Sequence, residues 1–340
     1  MSYSLAKIAK EIGVSKTTVS FVFNGKGKEH RVSADMQEKI LEFCRKVNYS
    51  VNIHAQRMNQ KNVGTIGVIL YPGGLRKIMN PLSDENSANI LGGVIEAAAK
   101  RNCRVLIEIV TPETPPEKIC EWFRKREIDG MIYYGMIMLD KWRDILIAEG
   151  CHVVGIGGEP GKELPSVNID NYASSVSLTK YLLKKGHRKM TFLNGRDTSY
   201  INNERRRGFM ETLKKHGIDY VNGPANYAMF QEGNAYAWAK EKIKSHSLDE
   251  DAIVCGNDSM AIGVMNALKS NGIKIPDDVA VAGADGISLA NYVTPSLTTY
   301  SLCPMKLGMK ASELLFKLID GKETEKNITL KSDIIIREST

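Results

Sequence analysis

From residue 63 to the end of the chain, short apolar stretches alternate with amphipathic ones, and this pattern restricts the possible folds most strongly. Short apolar runs are typical of buried strands, and apolar residues that recur every three to four positions are typical of helices. The predicted strands are 66–70, 105–110, 131–134, 153–156, 190–193, 252–255 and 279–282. The predicted helices between them include 90–100, 174–185, 204–216 and 260–270. Strands that alternate with helices indicate parallel sheets covered by helices.

The length of the chain indicates more than one core. Single hydrophobic cores stop growing beyond about 250–300 residues, and this chain has 340. We therefore expect the region after residue 63 to form an α/β body of two doubly wound parallel-sheet subdomains. No apolar run reaches the roughly 20 residues that a membrane-spanning helix needs, so no membrane partner is expected.

The N-terminus and the cysteines indicate the compartment. The chain passes from Met1 directly into an amphipathic stretch, without the apolar segment of a secretion signal. The six cysteines are scattered and lack the paired spacings of a metal site or a disulfide framework. We therefore expect a cytoplasmic protein with free thiols, no metal and no cofactor.

The first 24 residues predict two short helices joined by a turn at Gly13. The inner face of the first helix is formed by residues at helical spacing, namely Leu5, Ile8, Ala9 and Ile12. Ser15 is a favourable N-cap for the second helix. This arrangement is typical of a helix-turn-helix motif, whose second helix enters the major groove of DNA. An ordinary helical hairpin would share the pattern, so these two helices alone leave both interpretations open.

The second helix has two distinct faces. Val19 and Val22 share the inner face, and no acidic residue lies on the outer one. The outer face carries the four residues that we predict to read bases, Lys16, Thr17, Ser20 and Phe21. Their donors and small groups suit the base edges of a major groove.

Positive charge is concentrated at the start of the chain. Residues 1–61 hold eleven lysines and arginines against five acidic residues, whereas the whole chain holds 46 against 39. The first 61 residues therefore carry nearly all of the formal net charge of +7, as a phosphate-facing module requires. The predicted phosphate contacts are Lys7, Lys10, Asn24, Lys26, Lys28, His30 and Arg31.

A longer pattern runs through residues 4–70. It consists of Ile8-Ala9, Gly13-Val14-Ser15, Thr18-Val19-Ser20, Asn24, Asn48-Tyr49, Asn52, Ala55 and the strand from Ile66. With this pattern, residues 4–70 resemble the head of the lactose-repressor-like (LacI/GalR) family of transcription regulators. Further family patterns occur at 164–171, 186–189, 255–263, 275–279 and 295–299. The resemblance implies a homodimer that binds double-stranded operator DNA, most often as a repressor, and responds to a small-molecule effector, often a sugar. Whether two dimers join into a tetramer stays open.

The resemblance also implies a domain organisation. An all-α helix-turn-helix head would span 1–50, a hinge helix or linker 51–62, and a periplasmic-binding-protein-like body 63–340. Three crossings would divide the body. The predicted N-terminal subdomain is 63–184 with 298–325, and the predicted C-terminal subdomain is 185–297 with 326–340.

In the family, the hinge folds against the minor groove and an apolar side chain wedges between base pairs. The matching wedge positions here are Met58 and Ala55, and Met58 stands where relatives usually have leucine. Such insertion costs a few kcal/mol of unstacking, which added contacts must offset. The alternative is that Met58 packs against the body.

Ligands of open α/β sheets bind at the carboxyl ends of the strands, and two such lobes form a cleft. The positions that match the effector contacts of the family are Arg205, Asn257, Asp285 and Asp170. Structural roles are open for each. Arg205 lies in a run of arginines that solvent would surround, Asn257 would cap the following helix, and Asp285 would serve a turn between glycines.

The sequence departs from the family pattern in three places. The loop 71–81 is longer than the corresponding loop of relatives, which lines the effector cleft, so the effector's identity stays open. Tyr227 and Phe230 are both candidates for an aromatic side chain expected in the cleft. Phe21 stands where many relatives place an arginine that reads guanine. Phenylalanine can instead contact a thymine methyl, so operator preference should differ.

Two other functions are compatible with such a body. A solute-binding receptor would need export, which the missing signal and the basic head argue against. A cytosolic enzyme on a sugar or nucleotide would need a catalytic motif, and the sequence shows no P-loop, HExxH or GxSxG. We therefore predict a transcription regulator with no catalytic residues.

Overall fold

The computed structural model describes residues 3–49, 62–70, 81–111, 113–134, 140–158, 164–218, 220 and 226–340. The chain divides into two compact units, Met1–Asn62 and Val63–Thr340. Most of the predicted hinge, including Ala55 and Met58, lies outside the described residues. Within the described residues, no helix is long and apolar enough to cross a membrane.

The first unit is a three-helix head. Its helices are α1 (Leu5–Ile12), α2 (Lys16–Phe23) and α3 (Ala34–Lys46). Ser15 caps α2 as predicted, because its hydroxyl accepts a hydrogen bond of 3.0 Å from the amide of Thr18. The core that joins the helices is formed by Ile8, Ala9, Ile12, Val19, Val22, Ile40 and Cys44.

The first subdomain of the body is built on a six-stranded sheet. Its strands are β1 (Thr65–Leu70), β2 (Arg104–Ile109), β3 (Gly130–Tyr134), β4 (Val153–Ile156), β5 (Ser166–Ile169) and β10 (Asn327–Leu330). They lie in the order β10-β5-β4-β3-β1-β2, and every pair is parallel. One face packs against α4 (Glu85–Ala99) and α11 (Pro304–Ile319), and the other against α5 (Pro116–Arg124) and α6 (Asp140–Ala148).

The second subdomain contains a smaller parallel sheet of β6 (Met190–Leu193), β7 (Ala252–Cys255) and β8 (Ala280–Ala282). One face packs against α7 (Asn171–Lys185) and α8 (Tyr200–Lys215), and the other against α9 (Glu232–Lys244) and α10 (Asp258–Ser270). An antiparallel pair, β9 (Thr299–Tyr300) and β11 (Ile334–Ile335), adjoins this sheet. The predicted pair of doubly wound parallel sheets is therefore confirmed.

The predicted limits of the subdomains are wrong in three places. The prediction gives residues 298–301 to the first subdomain, but Tyr300 lies in the core of the second, and β9 adjoins the second sheet. Residues 171–184 were assigned to the first subdomain, but α7 packs Leu178 and Leu182 into the core with Phe192 and Phe209. Residues 326–330 were assigned to the second, but β10 pairs with β5 in the first sheet. The sequence pattern of an amphipathic helix or a short apolar strand is the same whichever neighbouring sheet it joins. Tertiary packing alone therefore decides which subdomain it belongs to.

Two helices of the first subdomain cross at very short distance. A Cβ atom added to Gly93 on α4 would lie 2.1 Å from the carbonyl oxygen of Met305, and one added to Gly308 on α11 would lie 2.1 Å from that of Ile90. Only glycine permits the two backbones to approach so closely. The crossing fixes α4, whose N-terminus lies at the ligand cleft described below.

Candidate nucleic-acid interface and ligand cleft

The structure places the four predicted base-reading residues on one face of α2. Lys16 and Thr17 are exposed, and Ser20 and Phe21 are partly exposed. Val19 and Val22 on the opposite face are buried. The outer face can therefore enter a groove without disturbing the core of the head.

A feature that the sequence did not reveal is the stacking of Phe21 on His30. The two ring centroids are 3.4 Å apart, and the ring planes differ by 8°. His30 lies in the loop that joins α2 to α3 and was predicted only as a phosphate contact. The spacing of residues in the sequence could not predict this contact, because the contact depends on how the loop folds back onto α2.

The predicted phosphate contacts differ in their surroundings. Lys26 and Arg31 are exposed in the loop after α2. Lys7 lies over the ring of Tyr3, with 4.5 Å from its ammonium nitrogen to the ring centroid. The side chain of Asn24 donates a hydrogen bond of 2.8 Å to the carbonyl of Ser20, which completes the C-terminal end of α2.

In the body, Arg205 is fixed by protein partners. Only 3% of its surface is exposed. Its Nε donates to Asn171, and its two terminal nitrogens donate to the carbonyl of Gly256 and to the carboxylate of Asp285. The arginine is therefore buried and paired. This contradicts the interpretation in which solvent surrounds it. It fixes the position of Asp285.

Asp285 lies just after β8 with a backbone φ of +126°, which is unusual for a residue with a side chain. Its carboxylate is 3.0 Å from Arg205 and keeps 15% of its side-chain surface exposed. Burial raises the pKa of Asp285 to about 7, against the lowering effect of Arg205. Asp285 is therefore the member of the pair that a ligand can reach.

A second buried carboxylate lies beside this pair. Asp258, the first residue of α10, accepts hydrogen bonds from the hydroxyl of Thr299 and the amide of Ile287. Burial raises the pKa of Asp258. A Cβ atom on Gly283 would lie 2.2 Å from a carboxylate oxygen of Asp258. Glycine at this position therefore leaves room for the Asp258 side chain.

Asn257 and Asp170 both act as helix N-caps. Asn257 accepts a hydrogen bond from the amide of Met260, and its amide nitrogen donates to the carbonyl of Phe230. Asp170 accepts one from the amide of Ala173. These bonds establish the structural role of each residue, and their contact with an effector stays a prediction.

The structure adds residues from the first subdomain that the sequence did not single out. Tyr134 ends β3, and its hydroxyl lies near Ser87 at the start of α4. Burial raises the pKa of Tyr134, as does the charge of Asp84, while Arg205 lowers it. Asp84 caps α4 and also raises the pKa of Asp285. Polar groups of both subdomains therefore converge on one cleft.

The two subdomains also contact each other directly. The carboxylate of Glu85 accepts hydrogen bonds of 2.9 Å from the amide and 2.7 Å from the hydroxyl of Ser288. Glu85 is the first residue of α4, and Ser288 begins a short 3₁₀ helix of the second subdomain. The contact joins the subdomains next to the cleft.

Of the two aromatic candidates, Phe230 lies at the strand ends. A Cβ on Gly195, just after β6, would lie 2.2 Å from the Phe230 ring. The hydroxyl of Tyr227 instead accepts a hydrogen bond from Arg206. Phe230 is therefore the better placed of the two to provide an apolar surface beside Asn257.

The start of β1, where the chain enters the body, is held by one carboxylate. Asp129 accepts hydrogen bonds from the amides of Val63, Gly64 and Thr65, at 2.7, 2.8 and 3.3 Å. Three amides on one carboxylate fix the first residues after the predicted hinge to the sheet of the first subdomain.

Comparison with known families matches both parts of the chain. The model of bacterial regulatory proteins of the lacI family matches residues 4–52. The model of the periplasmic binding protein-like domain matches residues 179–340.

Individual relatives match over the whole length. The HTH-type transcriptional repressor PurR of Vibrio parahaemolyticus is 29% identical over 346 residues, which cover 99% of this chain and 98% of PurR. Catabolite control protein A of Staphylococcus aureus is 26% identical over 349 residues, which cover 100% of both chains.

Solved structures share the fold. The lac repressor dimer bound to operator and the anti-inducer ONPF matches with a TM-score of 0.85 and 20% identity, covering 100% of this chain and 99% of that one. The CelR–cellobiose complex matches with a TM-score of 0.73 and 23% identity, covering 99% and 100%.

A helix-turn-helix head with an acid-free outer face, in one chain with a two-lobed α/β body, defines a ligand-responsive DNA-binding protein. The family models and the full-length relatives specify it further. The chain belongs to the lactose-repressor-like (LacI/GalR) family of transcription regulators, as the sequence predicted. It is a sequence-specific DNA-binding regulator of transcription.

Proposed function

We propose that this protein acts in the cytoplasm as a homodimeric repressor whose effector is an uncharged polyhydroxyl compound, such as a sugar. One observation carries the choice of effector class: the buried guanidinium of Arg205 is already paired with Asp285, and the carboxylates of Asp258 and Asp84 lie near this pair. Two heads would read a near-palindromic operator, one half-site each. Effector binding between the subdomains would change operator affinity.

The charges of the cleft disfavour an anionic effector. Arg205 is bonded to Asp285, and its charge also acts on Asp258. Asp84 adds a further carboxylate whose charge reaches Asp285. An incoming phosphate or carboxylate would meet these carboxylates, and Arg205, the buried cation among them, already has its partners. Hydroxyl groups, in contrast, can donate to the accessible carboxylate of Asp285.

Residues of the proposed effector site have complementary roles. Asp285 accepts from ligand hydroxyls, Arg205 holds Asp285, and Phe230 offers an apolar face of the kind that sugar rings stack on. Asn257 and Asp170 border the site from helix N-termini. Tyr134 contributes from the first subdomain, so binding would depend on the relative position of the two subdomains.

The base-reading role belongs to Lys16, Thr17, Ser20 and Phe21. Lys7, Asn24, Lys26 and Arg31 are proposed to contact phosphates, and Met58 and Ala55 to enter the minor groove. The exposed outer face of α2 supports the first of these roles.

Dimerisation would use apolar surface of the body. The edge strand β2 exposes Leu106, Ile107 and Ile109, and neighbouring α4 exposes Ile95 at 48%. Tyr292 is 79% exposed just after the 3₁₀ helix that begins at Ser288. An exposed apolar edge strand is a surface that proteins usually cover, and a second copy of the chain would cover it.

Coupling requires that the effector bind one arrangement of the subdomains more tightly than another. Glu85 joins the subdomains at the cleft, and Asp129 joins the first subdomain to the start of β1. A change in subdomain angle would therefore reach the residues that follow the hinge.

The test compares effector classes on operator binding. Neutral monosaccharides and disaccharides, sugar phosphates and nucleotides are titrated against the protein on its selected operator. We expect a neutral sugar to change operator affinity and D285N to abolish this response. A response to sugar phosphates or nucleotides alone would contradict the proposal. Turnover of any of these compounds would favour the alternative of an enzyme on the same body fold.

A further inference from the structure

The loop between α2 and α3 carries one aromatic side chain onto the reading face. His30 is exposed and stacks on Phe21, which is itself only partly buried. Every other predicted reading residue comes from α2 itself. The stacked pair therefore extends the reading face beyond the helix.

The loop is folded so that His30 has a defined position. The amide of Lys26 donates to the carbonyl of Phe21 at 2.8 Å, and the amide of His30 donates to the carbonyl of Lys26 at 3.2 Å. These two bonds connect the base of the reading face to His30 through one turn of chain.

The far side of the loop is closed by α3. Gln37 donates to the carbonyl of Val32 at 2.7 Å. A Cβ on Gly27 would lie 2.6 Å from the end of the Gln37 side chain, so the loop passes close to α3 at this glycine. The loop is thus anchored at α2 and at α3, and His30 lies between the two anchors.

The geometry of the pair suits two neighbouring base pairs. The two rings are nearly parallel and their centroids are 3.4 Å apart, which matches the roughly 3.4 Å rise per base pair of B-DNA. Phenylalanine has no donor and can contact only an apolar group such as the thymine methyl. The imidazole of His30 has an N–H donor in either tautomer, and guanine presents two acceptors, N7 and O6, in the major groove.

We propose that His30 is a fifth base-reading residue, which donates to a guanine in the base pair next to the one that Phe21 contacts. This inference rests on the proposed reading role of α2. It replaces the phosphate contact expected from the sequence, because the stack holds the His30 ring against a side chain of the reading face.

The experiment uses the full chain and its selected operator. A pool of random duplexes first defines the symmetric site of the unaltered protein. Affinities are then measured at one salt concentration for this site and for every single base-pair change in it. The variants are H30A, which removes the ring, and H30F, which keeps the stack without a donor. K28A is the matched control, since Lys28 is an exposed cation of the same loop.

We expect H30A and H30F to lose about tenfold discrimination at one G·C pair of each half-site, the size of a good base contact. H30F should keep the preference at the neighbouring pair read by Phe21, and H30A should weaken it. K28A should lower affinity for all duplexes alike. If both His30 variants keep every base preference and lose affinity uniformly, His30 contacts phosphate and the proposal is overturned. If the unaltered protein selects no site, the proposed function itself fails.

Discussion

Asp285 lies in an environment unlike that of a surface carboxylate, since only 15% of its side-chain surface is exposed. Burial raises its pKa to about 7, whereas an aspartate in an unfolded chain has a pKa near 3.9. Between these values the folded protein holds a proton that the unfolded chain has released, so raising the pH lowers stability in this window.

The variant D285N should therefore gain stability relative to the unaltered protein as the pH rises from about 4 to about 7. Asparagine carries no titrating group, so it loses nothing in that range, while Asp285 must either stay protonated or ionise in a buried site. Thermal unfolding midpoints of both proteins at half-unit pH intervals measure the difference. A difference that does not change with pH would contradict this assignment.

Neighbouring arginines allow a matched comparison of burial. R205A should lower the free energy of unfolding of the body by about 3–5 kcal/mol, since it leaves buried carboxylates without their cation. R207A should change it by less than about 1 kcal/mol, because Arg207 is an exposed partner of Glu204 and Glu211. Urea unfolding of both variants tests this. Equal losses would show that Arg205 is not the buried anchor of the cleft.

The helices and strands show how far the sequence alone could go. Reading-face residues and the cap at Ser15 were predictable, because helical spacing and capping are local properties. The position of α7, the stack of Phe21 on His30 and the contribution of Tyr134 were not, because each depends on which distant segments meet. Asp285 was predictable as a strand-end residue, but its pairing with Arg205 and its proximity to the charge of Asp258 were not.

The crossing of α4 and α11 makes a prediction at two adjacent glycines. G93A should destabilise the body by about 1–3 kcal/mol, since its methyl group meets backbone atoms that cannot move independently. G92A should be nearly neutral, because the nearest atom to its Cβ is the flexible Met305 sulfur at 3.1 Å. Thermal unfolding measures both. If G92A is as harmful as G93A, the close crossing is not the reason.

The reader helix makes a prediction about DNA. K16A should weaken binding to the selected operator and reduce its preference over random duplexes, because Lys16 lies exposed on the reading face of α2. Fluorescence anisotropy with operator and with random duplex, at the same salt, gives both affinities. If K16A binds the operator and the random duplex with the same affinities as the unaltered protein, Lys16 is not a base-reading residue.

At the scale of the whole molecule, the chain separates two tasks. The first 61 residues carry the excess positive charge and the reading helix, while the body carries a cleft lined by carboxylates from both subdomains. Attraction to DNA therefore depends on the head, and the response to a metabolite depends on the body. Because the chain belongs to this family, we expect the head and the body to act together in one regulator.

The most direct test of this account is selection from a random duplex pool, run with the full-length protein at moderate salt, with and without a neutral sugar that it binds. The account predicts enrichment of a near-palindromic site with two half-sites, and an operator affinity that changes when the sugar is present. Enrichment of no symmetric site under any ligand condition would contradict it.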